Sequence, residues 1–195
     1  MGVEHYEKAQ KEGRGVLVLA AHFTTMDVIS QPLAKLGTFD VMYRYNKNPV
    51  WAWLQVSGRK RYFDGVVERQ DTRQVLKRLR AGRSIWYAAD QDYGRKHSVF
   101  APFFGIPAAS ITATARFASL NNSPVVMMTT SRDIERRRWK IEFHPALTNF
   151  PTGEDLADAT LINQQLEAHI RKQPEQYLWV HKRFKTRPDG LERVY

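Results

Sequence analysis

The stretch Val16-Leu17-Val18-Leu19-Ala20-Ala21-His22 decides the fold class of this chain. Six consecutive apolar residues, two of them β-branched, have the length and composition of a strand that is buried on both faces. Such strands belong to parallel sheets that carry helices on both sides. The stretch therefore predicts an α/β fold with His22 at the carboxyl end of a strand, the edge where these sheets form their sites.

Asp27 follows His22 by five residues, and the two form a candidate acid–base pair. An imidazole can take a proton from a hydroxyl group at neutral pH when a carboxylate orients its ring. Residues five apart on one helix point about 140° apart, so the pair requires His22 in a turn and Asp27 in a first helical turn. Thr24 or Thr25 is predicted to cap that helix, which runs to about residues 36–37. A histidine that only caps or hydrogen-bonds at a strand end is the alternative.

The composition is that of an ordinary globular domain. The 195 residues fit one domain over 1–195, with 43% hydrophobic and 26% charged residues, which argues against a disordered or fibrous chain. The absence of cysteine excludes disulfides, thiolate nucleophiles and cysteine-bound metals. No apolar run approaches the roughly 18 to 20 residues that span a bilayer. The formal net charge of +10 predicts an anionic partner, whether nucleic acid, phospholipid or acidic protein.

Short apolar runs alternate with amphipathic segments along the chain, which predicts a mostly parallel central sheet flanked by helices. Strands are predicted over residues 15–21, 39–44, 62–67, 84–89, 124–130 and 139–144. Helices are predicted over residues 4–11, 48–56, 71–80, 108–120 and 155–172. Asp71 is expected to cap the third of these helices, and Gly82 to end it.

Five further blocks lie at residues 43–49, 57–61, 86–94, 98–105 and 174–188. Taken with His22 and Asp27, they closely resemble the late acyltransferases of lipid A biosynthesis, the lauroyl and myristoyl transferases of Gram-negative bacteria. The resemblance covers nearly the whole chain, and the closing block is its most specific part. The wider superfamily with a His-X4-Asp motif usually carries a Glu-Gly-Thr-Arg block, where this chain has Asp90-Gln91-Asp92-Tyr93-Gly94.

The resemblance implies a fold like that of glycerol-phosphate acyltransferases and a defined reaction. The family moves a fatty acyl group from acyl carrier protein onto the hydroxyl of a hydroxyacyl chain on a lipid A precursor, in lipopolysaccharide biosynthesis. His22 would act as the general base, and Asp27 would orient its ring and stabilise the imidazolium. We predict no cofactor and no metal requirement, since two spaced carboxylates at Asp90 and Asp92 fall short of a coordination shell.

Four residues are predicted to bind the phosphorylated glycolipid. Arg59 matches a basic position of the family and would hold a phosphate or support a developing oxyanion, with a solvated surface residue as the alternative. Asp90 lies at the same sheet edge as His22 and would orient substrate, unless it caps the turn at residues 93–94. Arg183 and Arg187 are candidate contacts for an anionic head group.

The predicted location is the cytoplasmic face of the bacterial inner membrane, with this chain bound peripherally. Trp51, Trp53 and Leu54 with Lys47 are candidates for an edge that faces the anionic membrane surface, although core packing explains the tryptophans equally well. Relatives normally carry an N-terminal membrane helix, which this chain is expected to lack because its first strand begins close to Met1.

The sequence leaves two other functional hypotheses open. Basic clusters interleaved with aromatic residues are compatible with a nucleic-acid-binding module, although no recognised binding motif supports one. The third hypothesis is an inactive, partial acyltransferase. An enzyme requires His22, Asp27, Arg59 and Asp90 to converge on one cleft, whereas a nucleic-acid-binding module requires the arginines to form a continuous stripe.

Overall fold

The decisive stretch forms the strand β1 (Leu17–Ala20) in the interior of the sheet. The computed structural model describes residues 1–192 and 194–195. Leu17 and Leu19 pack into the core on one face of the sheet, whereas Val18 and Ala20 pack into the core on the other face. All four residues are buried, so the strand is covered on both faces as its sequence predicts.

Six strands form the main sheet. They are β1, β2 (Phe39–Tyr43), β3 (Gly65–Glu68), β4 (Ser84–Ala88), β7 (Val125–Asp133) and β8 (Arg138–Ala146). Their order in the sheet is β3-β2-β4-β1-β7-β8. The first five are parallel to one another, and β8 runs antiparallel to β7 at the edge. This arrangement confirms the α/β fold with a mostly parallel sheet, and each of the six predicted strands is present.

Helices cover both faces of the sheet. They are α1 (Val3–Gln10), α2 (Ser30–Ala34), α3 (Pro49–Arg59), α4 (Thr72–Arg80), α5 (Ala113–Asn121) and α6 (Asp155–Ile170). The helices α1 and α2 contribute Tyr6, Ala9 and Leu33 to one core, and α4, α5 and α6 pack into the other core. Asn48 caps α3 and Asp71 caps α4, each through its side-chain oxygen. No helix in the described part of the chain is long and apolar enough to cross a membrane.

A β-hairpin replaces the first turn of the predicted helix over residues 108–120. Its strands β5 (Ser98–Phe103) and β6 (Ile106–Ile111) pair antiparallel outside the main sheet, and α5 begins only at Ala113. The two turn residues, Phe104 and Gly105, both have positive φ angles, the backbone geometry that suits a tight hairpin. The hairpin packs against α6 and contributes Phe103 and Ala108 to the core.

The segment after His22 also contains a shorter helix than predicted. A series of turns occupies residues 24–29, and α2 contains only five residues. Thr25 caps no helix, because its hydroxyl is buried in a 2.6 Å hydrogen bond with the Thr130 hydroxyl on β7. That bond fixes the loop to the sheet, and Asp27 therefore lies in a turn instead of the first turn of a helix.

Candidate active site

An open cleft of about 910 Å³ lies at the carboxyl ends of the parallel strands. Residues that follow β1, β2, β3 and β4 line this cleft, and the carboxyl-terminal half of α3 forms its outer wall. This is the edge at which open α/β sheets bind their ligands. The polar and charged lining residues include His22, Asp27, Arg44, Asn46, Lys47, Gln55, Arg59, Arg69 and Gln91.

His22 and Asp90 form a hydrogen-bonded pair behind this cleft. Ala20 of β1 pairs with Ala88 of β4, so the residues two positions further leave the sheet side by side. The Nδ1 atom of His22 lies 2.6 Å from Oδ1 of Asp90, and the backbone N–H of His22 donates to Oδ2 at 2.9 Å. Both carboxylate oxygens of Asp90 therefore hold the same residue.

The charge state of Asp90 determines the tautomer of His22. Burial on its own would raise the pKa of Asp90, but the hydrogen bonds and charge of His22 outweigh burial and hold that pKa below its ordinary value. An ionised carboxylate can only accept hydrogen bonds, so Nδ1 of the neutral imidazole donates. The lone pair is then on Nε2, the atom with which a general base accepts a proton.

Gln91 joins His22 to a second histidine, His181. The Nε2 amide of Gln91 lies 3.3 Å from Nε2 of His22 and 3.2 Å from Nδ1 of His181, and the two imidazole rings lie 4.6 Å apart. Burial and the neighbouring His22 lower the pKa of His181, so both rings can accept from one amide. The sequence places these residues in two of the family blocks but does not predict that they meet.

Asp27 does not have the orienting position that the sequence assigned to it. Its side chain is exposed in the turn after His22, and no hydrogen bond or ion pair joins it to His22 in the part of the chain that the structure describes. Asp27 instead lines the cleft near Arg59, where its charge acts on the guanidinium. The physical reason is the missing helix, which leaves the carboxylate of Asp90 as the partner of Nδ1.

Arg59 lies on the wall of the cleft, at the last position of α3. Burial lowers its pKa, and the charges of Asp27 and Tyr43 act in the opposite direction. Its guanidinium makes one long hydrogen bond, 3.4 Å to the carbonyl of Gln55 on the same helix. Within the described residues it has no carboxylate within salt-bridge distance, and the residue lines the cleft.

Three further basic residues line the cleft. The sequence assigns Lys47 to the membrane-facing edge and gives Arg44 and Arg69 no role of their own. Arg44 and Lys47 follow β2, and Arg69 follows β3, where its guanidinium lies 4.4 Å from the centre of the Tyr93 ring. With Arg59 they give four cations, against the carboxylate of Asp27 in the same lining. Their common position after parallel strands is the signal that would have found them.

Arg183 is buried inside the protein, which corrects its predicted contact with a lipid head group. Only 2% of the residue is exposed. Its guanidinium donates to the Ala109 carbonyl, to the Ser110 hydroxyl at 2.8 Å and to the Asn163 side-chain oxygen at 3.3 Å. Those acceptors lie on β6 and α6, so Arg183 fixes the hairpin to the last helix.

Arg187 also binds the hairpin, and it does not line the cleft. Its position therefore does not support the predicted contact with a lipid head group. Its guanidinium donates to the carbonyl of Pro107 at 2.8 Å. Asp92 supports the same region, since its carboxylate accepts from the backbone N–H of Gly94 and of Thr186, each at 2.8 Å. The turn-capping role weighed for Asp90 thus belongs to Asp92.

His22, Asp27 and Arg59 line one cleft, and Asp90 is bonded directly behind His22. This convergence is the arrangement that an enzyme requires and a nucleic-acid-binding stripe does not. The sequence profile described as "Bacterial lipid A biosynthesis acyltransferase" matches residues 1–186. The chain belongs to this family.

Several curated relatives align with the chain from end to end. A lipid A biosynthesis palmitoleoyltransferase and a lauroyltransferase, both from Escherichia coli K12, are each 33% identical over the whole chain. A lipid A biosynthesis myristoyltransferase from the same strain is 27% identical, again over the whole chain. The aligned region makes up 63%, 64% and 61% of these relatives. The chain therefore spans slightly less than two thirds of the length of the relatives it matches.

Proposed function

We propose that this chain transfers a fatty acyl group from acyl carrier protein to a hydroxyl of a hydroxyacyl chain on a lipid A precursor, with His22 as the general base. The observation that carries the proposal is the His22–Asp90 pair at the edge of a cationic cleft. Family membership supports the reaction class, since the aligned relatives are named lipid A biosynthesis acyltransferases.

The proposed reaction needs one proton carrier and no covalent enzyme intermediate. Nε2 of His22 removes the proton of the acceptor hydroxyl as its oxygen attacks the thioester carbonyl carbon. Asp90 stabilises the imidazolium that forms. When the tetrahedral intermediate collapses, the carbon–sulfur bond breaks and the thiolate takes the proton from His22. The thioester is already activated, so this sequence of steps involves no cofactor.

The four cations of the cleft are proposed to hold the phosphorylated acceptor. A phosphate group is bound most strongly by charge-assisted hydrogen bonds, and a guanidinium can donate two of them at once. Arg59 is the best placed of the four because α3 fixes it on the wall near Asp27, and its guanidinium makes only one long hydrogen bond among the described residues. Arg44, Lys47 and Arg69 complete the positive lining.

Replacement of Arg59 with glutamine is expected to lower kcat/KM by about ten- to a hundredfold, the value of one lost charged hydrogen bond. Arg59→Lys keeps the charge but loses the two-pronged donor, so its loss should be smaller. Steady-state kinetics with a lipid A precursor measure both. Arg61→Gln is the matched control, because Arg61 is exposed two residues further on and does not line the cleft. Equal losses in the Arg59 and Arg61 variants would contradict the proposed role.

The donor assignment is tested by comparing acyl carrier protein thioesters of several chain lengths with the same acyl groups on coenzyme A. Acyl carrier proteins are acidic, so the net charge of +10 favours their association with this chain. We expect faster transfer from the carrier protein, and increasing salt should reduce that advantage. The unaltered chain serves as the reference, and absence of transfer from every donor would support the inactive reading.

The exposed face of α3 is proposed to dock on the anionic cytoplasmic surface of the inner membrane. Ala52 is the buried residue of this helix, whereas Trp51 and Trp53 are 58% and 67% exposed. Core packing therefore does not explain the tryptophans. Amphipathic aromatic side chains beside basic residues such as Lys47 settle at the level of lipid head groups. The same helix forms the wall of the cleft, so docking would place the cleft at the lipid surface.

Replacement of Trp51 or Trp53 with serine is expected to weaken binding to vesicles that contain anionic phospholipid by about tenfold. Burial of a large apolar side chain contributes roughly 1.5–3 kcal/mol, and 1.4 kcal/mol corresponds to a factor of ten. Vesicle co-sedimentation measures the change. Trp139→Ser provides the control, because Trp139 is also exposed but lies on β8. Unchanged binding in both α3 variants would exclude this face as the docking surface.

A further inference from the structure

Three side chains with metal-ligating atoms meet at the edge of the sheet remote from β3. Glu142 and His144 are two residues apart on β8 and so point to the same face of the sheet. His169 lies in the last turn of α6. One ligand atom from each of the three lies within 4.8 Å of the other two, which brings two imidazoles and one carboxylate together across a strand and a helix.

The three side chains are close without being bonded to one another. No hydrogen bond or ion pair in the described part of the chain joins any two of them. His144 is held from outside the group, since its Nε2 atom lies 2.8 Å from the Thr129 hydroxyl. His169 is 8% exposed, and its Nδ1 atom is buried with no hydrogen-bond partner. Buried polar atoms are normally paired, so within the described part of the chain this nitrogen lacks a partner that a bound ion would supply.

We propose that Glu142, His144 and His169 bind a divalent transition-metal ion of the zinc type. Two histidines and one glutamate form a ligand set that zinc accepts, with metal–ligand distances of about 2.0–2.2 Å and a fourth position open to water. Tetrahedral bonds of this length separate the ligand atoms from one another by about 3.4 Å, so side-chain rotations would have to bring atoms that now lie within 4.8 Å of each other to that separation. Imidazole ligands favour zinc, copper and nickel over magnesium or calcium, and the chain offers no thiolate as a competitor.

The surroundings place such an ion away from the reacting atoms. His5 and Lys172 are the basic groups whose charges act on the cluster. Lys172 is exposed, so its ammonium group can turn into solvent when an ion enters. The ring of His169 packs edge-on against Phe23 at 5.1 Å, and Phe23 follows His22 directly. An ion in this position would join β8 to α6 and hold the loop that carries His22, without contact with the reacting atoms.

Zinc binding to the full chain, after removal of metals with a chelator, tests the proposal. Calorimetric titration is expected to give one equivalent with a dissociation constant of about 1 μM or lower, and bound zinc should raise the Tm. His169→Ala and His144→Ala should each weaken binding at least tenfold and abolish the rise in Tm. His97→Ala removes an exposed histidine elsewhere, and its affinity should match that of the parent chain.

Two further variants keep the outcome decisive. Glu142→Gln removes a ligand that is only partly buried, so it reports on the site if the loss of His169 unfolds the protein. His181→Ala tests the other histidine pair, at the cleft. Absence of stoichiometric binding, undiminished binding in the Glu142 and histidine-ligand variants, or loss of binding in the His181 variant would overturn the proposal. None of these measurements uses acyl transfer, so they are independent of the proposed function.

Discussion

Replacement of His22 with alanine is expected to lower the rate of acyl transfer by about 10²- to 10⁴-fold, the usual contribution of a positioned general base. The proposed reaction has one acceptor for the hydroxyl proton, and that acceptor is Nε2 of His22. Without it, the hydroxyl must lose its proton to water as it attacks the thioester. Single-turnover rates at saturating acceptor separate this loss from any change in binding.

The imidazole beside His22 provides the matched comparison. His181 lies 4.6 Å from His22 between ring centres, but its Nδ1 atom contacts Gln91 and, among the described residues, no carboxylate. His181→Ala is therefore expected to cost less activity than His22→Ala. The reverse order would transfer the proton-accepting role to His181. Circular dichroism and Tm of both variants establish that the loss does not come from unfolding.

Replacement of Asp90 with asparagine is expected to lower kcat by about 10²- to 10⁴-fold and to leave KM nearly unchanged. The corresponding carboxylate-to-amide change in a serine protease triad lowers kcat by about 10⁴-fold. Asparagine has nearly the same shape, but its amide nitrogen cannot accept the Nδ1 proton of His22. The imidazole would then favour the wrong tautomer, with the proton on the atom that must accept one. Steady-state kinetics over a range of acceptor concentrations measure kcat and KM separately.

Asp27→Asn is the natural control for Asp90→Asn, because the sequence alone gives Asp27 the role that the structure gives to Asp90. Asp27 acts on Arg59 through its charge and makes no hydrogen bond to His22 in the described residues. Its loss should change KM for the acceptor more than kcat. If Asp27→Asn reproduced the kcat effect and Asp90→Asn did not, the assignment of the orienting carboxylate would be wrong.

The strands of the sheet could be predicted because each is a short apolar run, often β-branched, between turn residues. The order of the strands could not, since the periodicity of one strand does not specify its neighbours. The sequence does not predict the β5–β6 hairpin, and the reason lies in the composition of the segment itself. Prolines at positions 102 and 107 disfavour a strand, yet they lie opposite each other in this two-stranded sheet, where edges tolerate them. The alanines that follow favour a helix in isolation.

The sequence locates His22 and Asp90 after strands at one sheet edge, and Arg59 after the aromatic helix. It gives Asp90 a contact with substrate, whereas in the structure Asp90 holds the imidazole of His22. The sequence does not identify this partner of His22, because it makes Asp27 the nearest carboxylate whereas the neighbouring strand β4 supplies Asp90. The predicted contact of Arg183 with a lipid head group is wrong because a cluster of cations in a sequence resembles a solvent-exposed face. Its acceptors, Ser110 and Asn163, come from distant segments that the local pattern cannot identify.

The pairing of Ala20 with Ala88 has a consequence for how this protein can be altered. His22 and Asp90 are 68 residues apart, but their separation in space is set by two residues of backbone beyond that pair. The intervening loops can accept insertions with little effect on the pair. A single residue added between Ala20 and His22, or between Ala88 and Asp90, would turn one side chain to the opposite face of the sheet. Redesign of the cleft should therefore keep these two short connections at their present length.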